Sequence, residues 1–202
     1  MADLGEDNSM QPPPAKGTSL WLMPEGEART RLAALIGRLA VRLGTPSFAP
    51  HVTLLPGLPG PEKEVVARAA SLARGIDPLT LSLGAIDGRN EPFRCLFVRA
   101  DASAALRAAH ARAARAFGLD PDPEFLPHLS LVYGTLAPDR KAGLLRDLAA
   151  EAAAELEARH LHVWRTQGLV AEWRELAAFA LGGGPGQGSP TATRPTSGGS
   201  DR

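Results

Sequence analysis

The chain has 202 residues, with 22 Lys plus Arg against 22 Asp plus Glu, so its formal net charge is zero. That balance argues against a protein that coats nucleic acid by bulk charge, while leaving room for a local basic cleft. A single thiol, Cys95, excludes an intramolecular disulfide framework and every thiolate-rich metal site.

Residues 1–16 are polar and contain Pro12-Pro13-Pro14. Asp3, Glu6 and Asp7 stand where a secretory signal needs positive charge, and no apolar run follows them. Thr18–Met23 reads as a strand, with Leu20 and Leu22 on one face and Trp21 and Met23 on the other. Leu32, Leu35, Ile36, Leu39 and Leu43 follow helical spacing up to a stop at Gly44. Val52–Leu55 reads as a buried strand between Pro50 and a Pro56-Gly57 turn. Pro61 opens a second helix, with Val65, Ala69 and Leu72 on one face.

Leu79, Leu81 and Leu83 alternate with Thr80 and Ser82, the pattern of a half-buried strand. Phe93–Val98 is strand-like, and the two segments form an expected antiparallel pair with a five- or six-residue connection. Ala102–Phe117 reads as a helix ended by Gly118. Leu129–Tyr133 reads as a strand, and Asp139–Arg159 as one long helix with Leu145, Leu148, Ala152 and Leu156 inward. Leu161–Thr166 and Trp173–Leu181 close the body as strands. No apolar run is long enough to span a bilayer. Residues 182–202 are dominated by Gly, Ser, Thr and Pro and cannot bury enough apolar surface to offset the entropy of ordering. The expectation is a soluble cytoplasmic protein with unpacked ends at 1–16 and 182–202 and an α+β body over 17–181.

One feature stands above this pattern. Phe48-Ala49-Pro50-His51-Val52-Thr53-Leu54-Leu55-Pro56-Gly57 aligns without gaps to Phe125-Leu126-Pro127-His128-Leu129-Ser130-Leu131-Val132-Tyr133-Gly134, with Phe, Pro, His, Leu and Gly identical. Residues i and i+2 of a strand share a face. His51 therefore projects with Thr53, and His128 with Ser130, while Val52, Leu54, Leu129 and Leu131 point into apolar packing. If the repeat marks two similar lobes, a pseudo-two-fold axis brings both pairs to one cleft. Two imidazoles and two hydroxyls suit a phosphodiester. One neutral His can take a proton from water, and the other, protonated, can give one to the leaving oxygen. The hydroxyls hold the non-bridging oxygens, and no metal or cofactor is required.

These motifs, His51-Val52-Thr53 and His128-Leu129-Ser130, resemble the signature of the two-histidine (2H) phosphoesterase superfamily. Ser19-Leu20-Trp21-Leu22-Met23-Pro24, Phe93-Arg94-Cys95-Leu96-Phe97 and Pro127–Tyr133 make the chain most similar to its plant and yeast-type cyclic phosphodiesterases. The resemblance implies a bilobal fold, two antiparallel sheets facing a central cleft with helices outside. It implies hydrolysis of small cyclic phosphates: ADP-ribose 1″,2″-cyclic phosphate, or nucleoside 2′,3′-cyclic phosphates to 2′-phosphates. The chain is expected to act as a monomer. The resemblance makes His51 and His128 the acid/base pair, Thr53 and Ser130 the phosphate-binding hydroxyls, and Tyr133 a neighbour of the phosphate. Trp21 becomes the aromatic of the first strand, able to stack on a base or ribose; a core Trp is the competing reading. The odd offset of Tyr133 from Ser130 puts it on the wrong face unless the strand ends before it. Which His is base and which acid stays open.

Two alternatives remain beside this reading. One is a related enzyme acting on RNA 2′,3′-cyclic ends, of the 2′-5′ RNA ligase type, against which the zero charge tilts. The other is a catalytically idle nucleotide-binding module. Among other residues, His160-Leu161-His162 resembles half a metal site without an evident third ligand. His110 falls in an Ala/Arg helix and is expected on a solvated face. Cys95 is expected to be buried and inert, and Trp164 and Trp173 to be core residues of a terminal hairpin.

Overall fold

The computed structural model describes residues 11–182; the expected unpacked ends fall largely on residues 1–10 and 183–202, outside the described residues. Ala15, within the N-terminal segment, pairs with Gly168 through backbone hydrogen bonds.

Eight strands form one curled antiparallel sheet: β1 Thr18–Leu22, β2 Val52–Leu58, β3 Leu79–Asp87, β4 Leu96–Ala100, β5 His128–Val132, β6 Ala154–Ala158, β7 His160–Arg165 and β8 Arg174–Ala180. Their order is β6-β3-β4-β5-β2-β1-β7-β8. The helices are α1 Gly26–Leu43, α2 Glu62–Ala73, α3 Ala104–Ala116, α4 Pro138–Asp147 and the single turn α5 Ala149–Ala152. The fold is α+β, as expected. The two sheets foreseen are halves of one sheet, joined where β2 and β5 pair at Val52 and Leu129.

The halves mirror each other. α1, which joins β1 to β2, packs on β5; α3, which precedes β5, packs on β2. Each half therefore covers the histidine strand of the other with a helix. Leu32, Leu35, Ile36, Leu39 and Leu43 of α1 and Leu106, Ala109 and Ala113 of α3 join Leu20, Leu22, Val52, Leu54, Leu129 and Leu131 in one core. At about 25 cal/mol per Å² of apolar surface, this shared core ties the halves together. The other face of the sheet carries His51, Thr53, His128 and Ser130.

Four local expectations change. The long helix over 139–159 is broken: α4 and α5 end by Ala152, and Ala154–Ala158 is β6, paired residue for residue with β3 from Leu79↔Ala158 to Leu83↔Ala154. Helix-forming residues there are overridden by an open sheet edge that Leu156 can pack behind. Pro56-Gly57 is a bulge inside β2, where Thr18 pairs with Leu58 and Leu20 with Leu55. Gly57 takes φ 63° there. The β3–β4 connection is longer than foreseen, spanning residues 88–95 with a 3-10 turn at Pro92–Arg94. Finally, His110 is not solvated. It is 5% exposed, stacks on Phe125 at 3.9 Å and bonds through Nδ1 to the Leu54 carbonyl at 2.9 Å. Its Nε2 accepts from the Asp122 N–H at 3.1 Å. A second register shift, between Leu20↔Leu55 and Trp21↔Thr53, leaves Leu54 without a partner in β1, and the imidazole satisfies its carbonyl.

Candidate active site

Each histidine is set by the same local device. Nδ1 of His51 lies 2.7 Å from the Ala49 carbonyl, and Nδ1 of His128 lies 2.8 Å from the Leu126 carbonyl. The proline that follows each of those residues has no N–H of its own, and the carbonyl two residues before each His is free to accept. A carbonyl accepts only from N–H, so both rings carry the proton on Nδ1 and keep Nε2 as the basic nitrogen.

Each ring is also backed by an aromatic from the neighbouring strand. Trp21 of β1 pairs with Thr53 and Phe97 of β4 pairs with Ser130, so the two aromatics occupy equivalent places. Trp21 stacks on His51 with centroids 3.5 Å apart and planes within 7°, and Phe97 meets His128 at 4.9 Å. Trp21 is 2% exposed and also stacks on Trp164 at 4.5 Å. It has no open face for a base; it is a wall behind the imidazole. Phe97 escaped the sequence reading, although Leu96-Phe97-Val98 echoes Leu20-Trp21-Leu22.

Here the symmetry ends. The repeat places Pro56 opposite Tyr133. β5 stops at Val132, and the Gly134 N–H bonds to the Pro92 carbonyl at 2.7 Å, turning Tyr133 out of strand register. The Tyr133 hydroxyl lies 3.3 Å from Nε2 of His51, to which it donates, and its ring stacks on Phe48 at 3.9 Å. Ser130 Oγ donates to the Phe93 carbonyl at 3.1 Å. Thr53 is half-buried on the same face. His51, Ser130 and Tyr133 are thus brought together from both halves. β2 and β5 pair antiparallel at Val52↔Leu129, the residue after each histidine, so His51 and His128 flank one strand junction.

Burial, chiefly, drives the His51 pKa down from 6.5 to about 3; the Ala49 hydrogen bond opposes this and the nearby His128 adds to it. His128 is lowered too, first by burial and then by the charges of Arg94 and Arg89, against opposing contributions from the Leu126 carbonyl and Glu91. Burial pushes the Tyr133 phenol well above its ordinary value, with the Ser130 hydroxyl pulling the other way. Near neutral pH, the unliganded site therefore holds two neutral imidazoles and a neutral phenol.

The second histidine pair, on β7, is held by carboxylates, and His162 is the cross-strand partner of Trp21. His162 Nδ1 bonds to Glu175 at 2.6 Å and His160 Nδ1 to Glu25 at 2.7 Å. Among the described residues, no group of three or more His, Cys, Asp or Glu side chains is arranged to hold a metal ion. Cys95 is buried, and burial raises its thiol pKa. Trp164 and Trp173 are only partly buried, and Trp173 meets Phe93 at 6.0 Å and Tyr133 at 5.8 Å. The indole N–H of Trp164 is buried without a hydrogen-bond partner, so this wall keeps an unused donor.

Paired, identically tethered histidines on the two central strands of a curled sheet define a two-histidine phosphoesterase. A family model described as the 2′-5′ RNA ligase superfamily matches residues 16–169, and the chain belongs to that superfamily. It is 24% identical over 123 residues to a cyclic phosphodiesterase of Arabidopsis thaliana, covering 61% of this chain and 68% of that protein. Its fold is similar to that of TT0787 of Thermus thermophilus, with TM-score 0.55 at 20% identity over 82% of this chain and 98% of that one. It is also similar to E. coli LigT complexed with ATP, with TM-score 0.51 at 17% identity over 84% and 98% of the two chains. Among the described residues, no helix is long and apolar enough to cross a membrane.

Proposed function

We propose that the protein hydrolyses small cyclic phosphates, opening ADP-ribose 1″,2″-cyclic phosphate or nucleoside 2′,3′-cyclic phosphates, the latter to 2′-phosphates. It acts as a cytoplasmic monomer and without a metal. The observation that carries this reading is the matched tethering of His51 and His128, which leaves each ring one basic nitrogen. In the reaction, water attacks phosphorus and loses its proton to one Nε2. The other ring, protonated at Nε2, gives its proton to the departing ribose oxygen as the P–O bond breaks. His51, held neutral by burial, suits the base. His128, which keeps some exposure, suits the acid once the phosphate anion sits beside it. The Thr53 and Ser130 hydroxyls and the Tyr133 phenol donate to non-bridging oxygens. Ser130 must first rotate its proton away from the Phe93 carbonyl, and Tyr133 must turn its proton from His51 Nε2 to the phosphate, which frees that nitrogen to act as base.

The test is product analysis by phosphorus NMR with a panel of cyclic phosphates in excess EDTA. The reading requires ring opening to a single monoester regioisomer. An unchanged panel, or turnover abolished by EDTA and restored by a divalent metal, contradicts it.

A further inference from the structure

We propose that Arg89 and Arg94 form a subsite for a second phosphate group of the substrate, beside the phosphate that is hydrolysed. The inference rests on the cyclic-phosphate reading and narrows it: these two side chains select, among cyclic phosphates, those carrying another phosphate within reach, in a diphosphate linkage or in an RNA strand.

Both arginines sit on the connection between β3 and β4, and its backbone is fixed at many points. Lys141 of α4, 9% exposed, donates from Nζ to the Arg89 carbonyl at 2.7 Å and to Asn90 Oδ1 at 2.9 Å. The Arg89 N–H bonds to the Arg94 carbonyl at 2.9 Å, and the Pro92 and Phe93 carbonyls accept from the Gly134 N–H and Ser130 Oγ. The segment is thus bonded directly to a candidate phosphate-binding hydroxyl. Burying a lysine is costly, and here the buried lysine orders a loop that carries two more cations.

Their charge is not cancelled. Arg89 and Arg94 share one carboxylate, Glu91, at 3.5 and 2.9 Å, and Asp87, which pairs with Arg99 and also feels Arg89, is the second carboxylate for these three arginines. One positive charge is left over at the His128 side of the cleft, on side chains 43% and 38% exposed. Around His51 the rim is aromatic instead, with Trp21, Trp164 and Phe48. The two halves match in backbone but differ in chemistry, cationic beside His128 and aromatic beside His51. The arginines also oppose protonation of His128 in the empty site. That is a handicap for a site that meets only one phosphate. A second substrate anion, charge-assisted at the guanidinium groups, removes it.

The experiment compares kcat/KM for three substrates: adenosine 2′,3′-cyclic phosphate, the same compound bearing a 5′-diphosphate, and a dinucleotide ending in a 2′,3′-cyclic phosphate. The full chain, Arg94→Ala, Arg89→Ala and Arg94→Lys are assayed. The expected result is a preference of about tenfold or more for a substrate with a second phosphate, the scale of one charge-assisted contact. Arg94→Ala removes most of that preference and Arg94→Lys restores part of it. Which of the two richer substrates gains tells the diphosphate source from the strand source. Equal preference in the unmodified protein and both alanine variants overturns the subsite while leaving the hydrolase intact. If no cyclic phosphate is turned over, the reaction itself is wrong, and calorimetry of ADP against adenosine decides the subsite. Tighter ADP binding that Arg94→Ala abolishes supports it, and no difference overturns it.

Discussion

The indole of Trp21 lies flat on the imidazole of His51, centroids 3.5 Å apart, so one of the two candidate catalytic rings is walled off by a strand neighbour. The wall keeps water from that face, and dehydration is the main reason His51 resists protonation. Trp21→Ala opens the wall. Its expected effect is a rise of the His51 pKa toward the ordinary value, read by NMR titration, with kcat lowered about tenfold or more as the ring loses its fixed position. An unmoved His51 titration would show that the indole has no such role.

Tyr133 supplies the hydrogen bond that the buried Nε2 of His51 accepts, at 3.3 Å. Tyr133→Phe keeps the stack on Phe48 and removes only the donor. The account expects kcat to fall about tenfold with little change in KM, as a donor to the transition state is lost. A rise in KM alone would mark the hydroxyl as a ground-state contact.

The pH profile follows from the two depressed histidines. kcat/KM reports the free enzyme, whose base must be neutral and whose acid must be charged. His51 remains neutral down to about pH 3. His128 is lowered by burial, Arg94 and Arg89, so the alkaline limb of kcat/KM is expected below the ordinary histidine value of about 6.5. In kcat the limb moves upward, because the bound anion favours the imidazolium. Limbs that coincide in both parameters contradict this assignment.

Stability carries the same sign. The unfolded chain protonates His51 near pH 6.5 and the folded chain only near pH 3. The contribution is therefore present above pH 6.5 and is lost as pH falls toward 3, by about 5 kcal/mol at the limit. Denaturant titrations from pH 7 to 4 are expected to show a steeper loss for the unmodified chain than for His51→Gln.

His110 tests the frame rather than the chemistry. It ties the Leu54 carbonyl of β2 to the Asp122 N–H ahead of β5. His110→Ala leaves both groups unpaired beside a cavity under Phe125. The expected cost is about 2–4 kcal/mol in denaturant unfolding, with the pH profile of the remaining activity unmoved.

How much of this is legible in the chain alone differs by element. The His-x-Thr/Ser strands are legible because period-two alternation is local: once the strand exists, His51 and Thr53 must share a face. The helix stripes of α1 and α3 are legible for the same reason. β6 is not, because Ala154-Glu155-Leu156-Glu157-Ala158 satisfies a helix and a strand pattern alike, and only the free edge of β3 decides. His110 is hidden because its partners, Leu54 and Asp122, belong to other elements, and an arginine-flanked histidine gives no hint of burial. Tyr133 is half legible: Gly134 allows the strand to end, but the bond to His51 crosses 82 residues of sequence. The rim at Arg89 and Arg94 depends on Lys141, which no local pattern links to it.

The most direct measurement is single-turnover hydrolysis of adenosine 2′,3′-cyclic phosphate by the full chain, His51→Ala and His128→Ala, each checked for native circular dichroism. The account predicts losses of about 10²–10⁴-fold in each variant, the scale of a positioned acid or base. Undiminished turnover in either folded variant would contradict a mechanism that needs both rings.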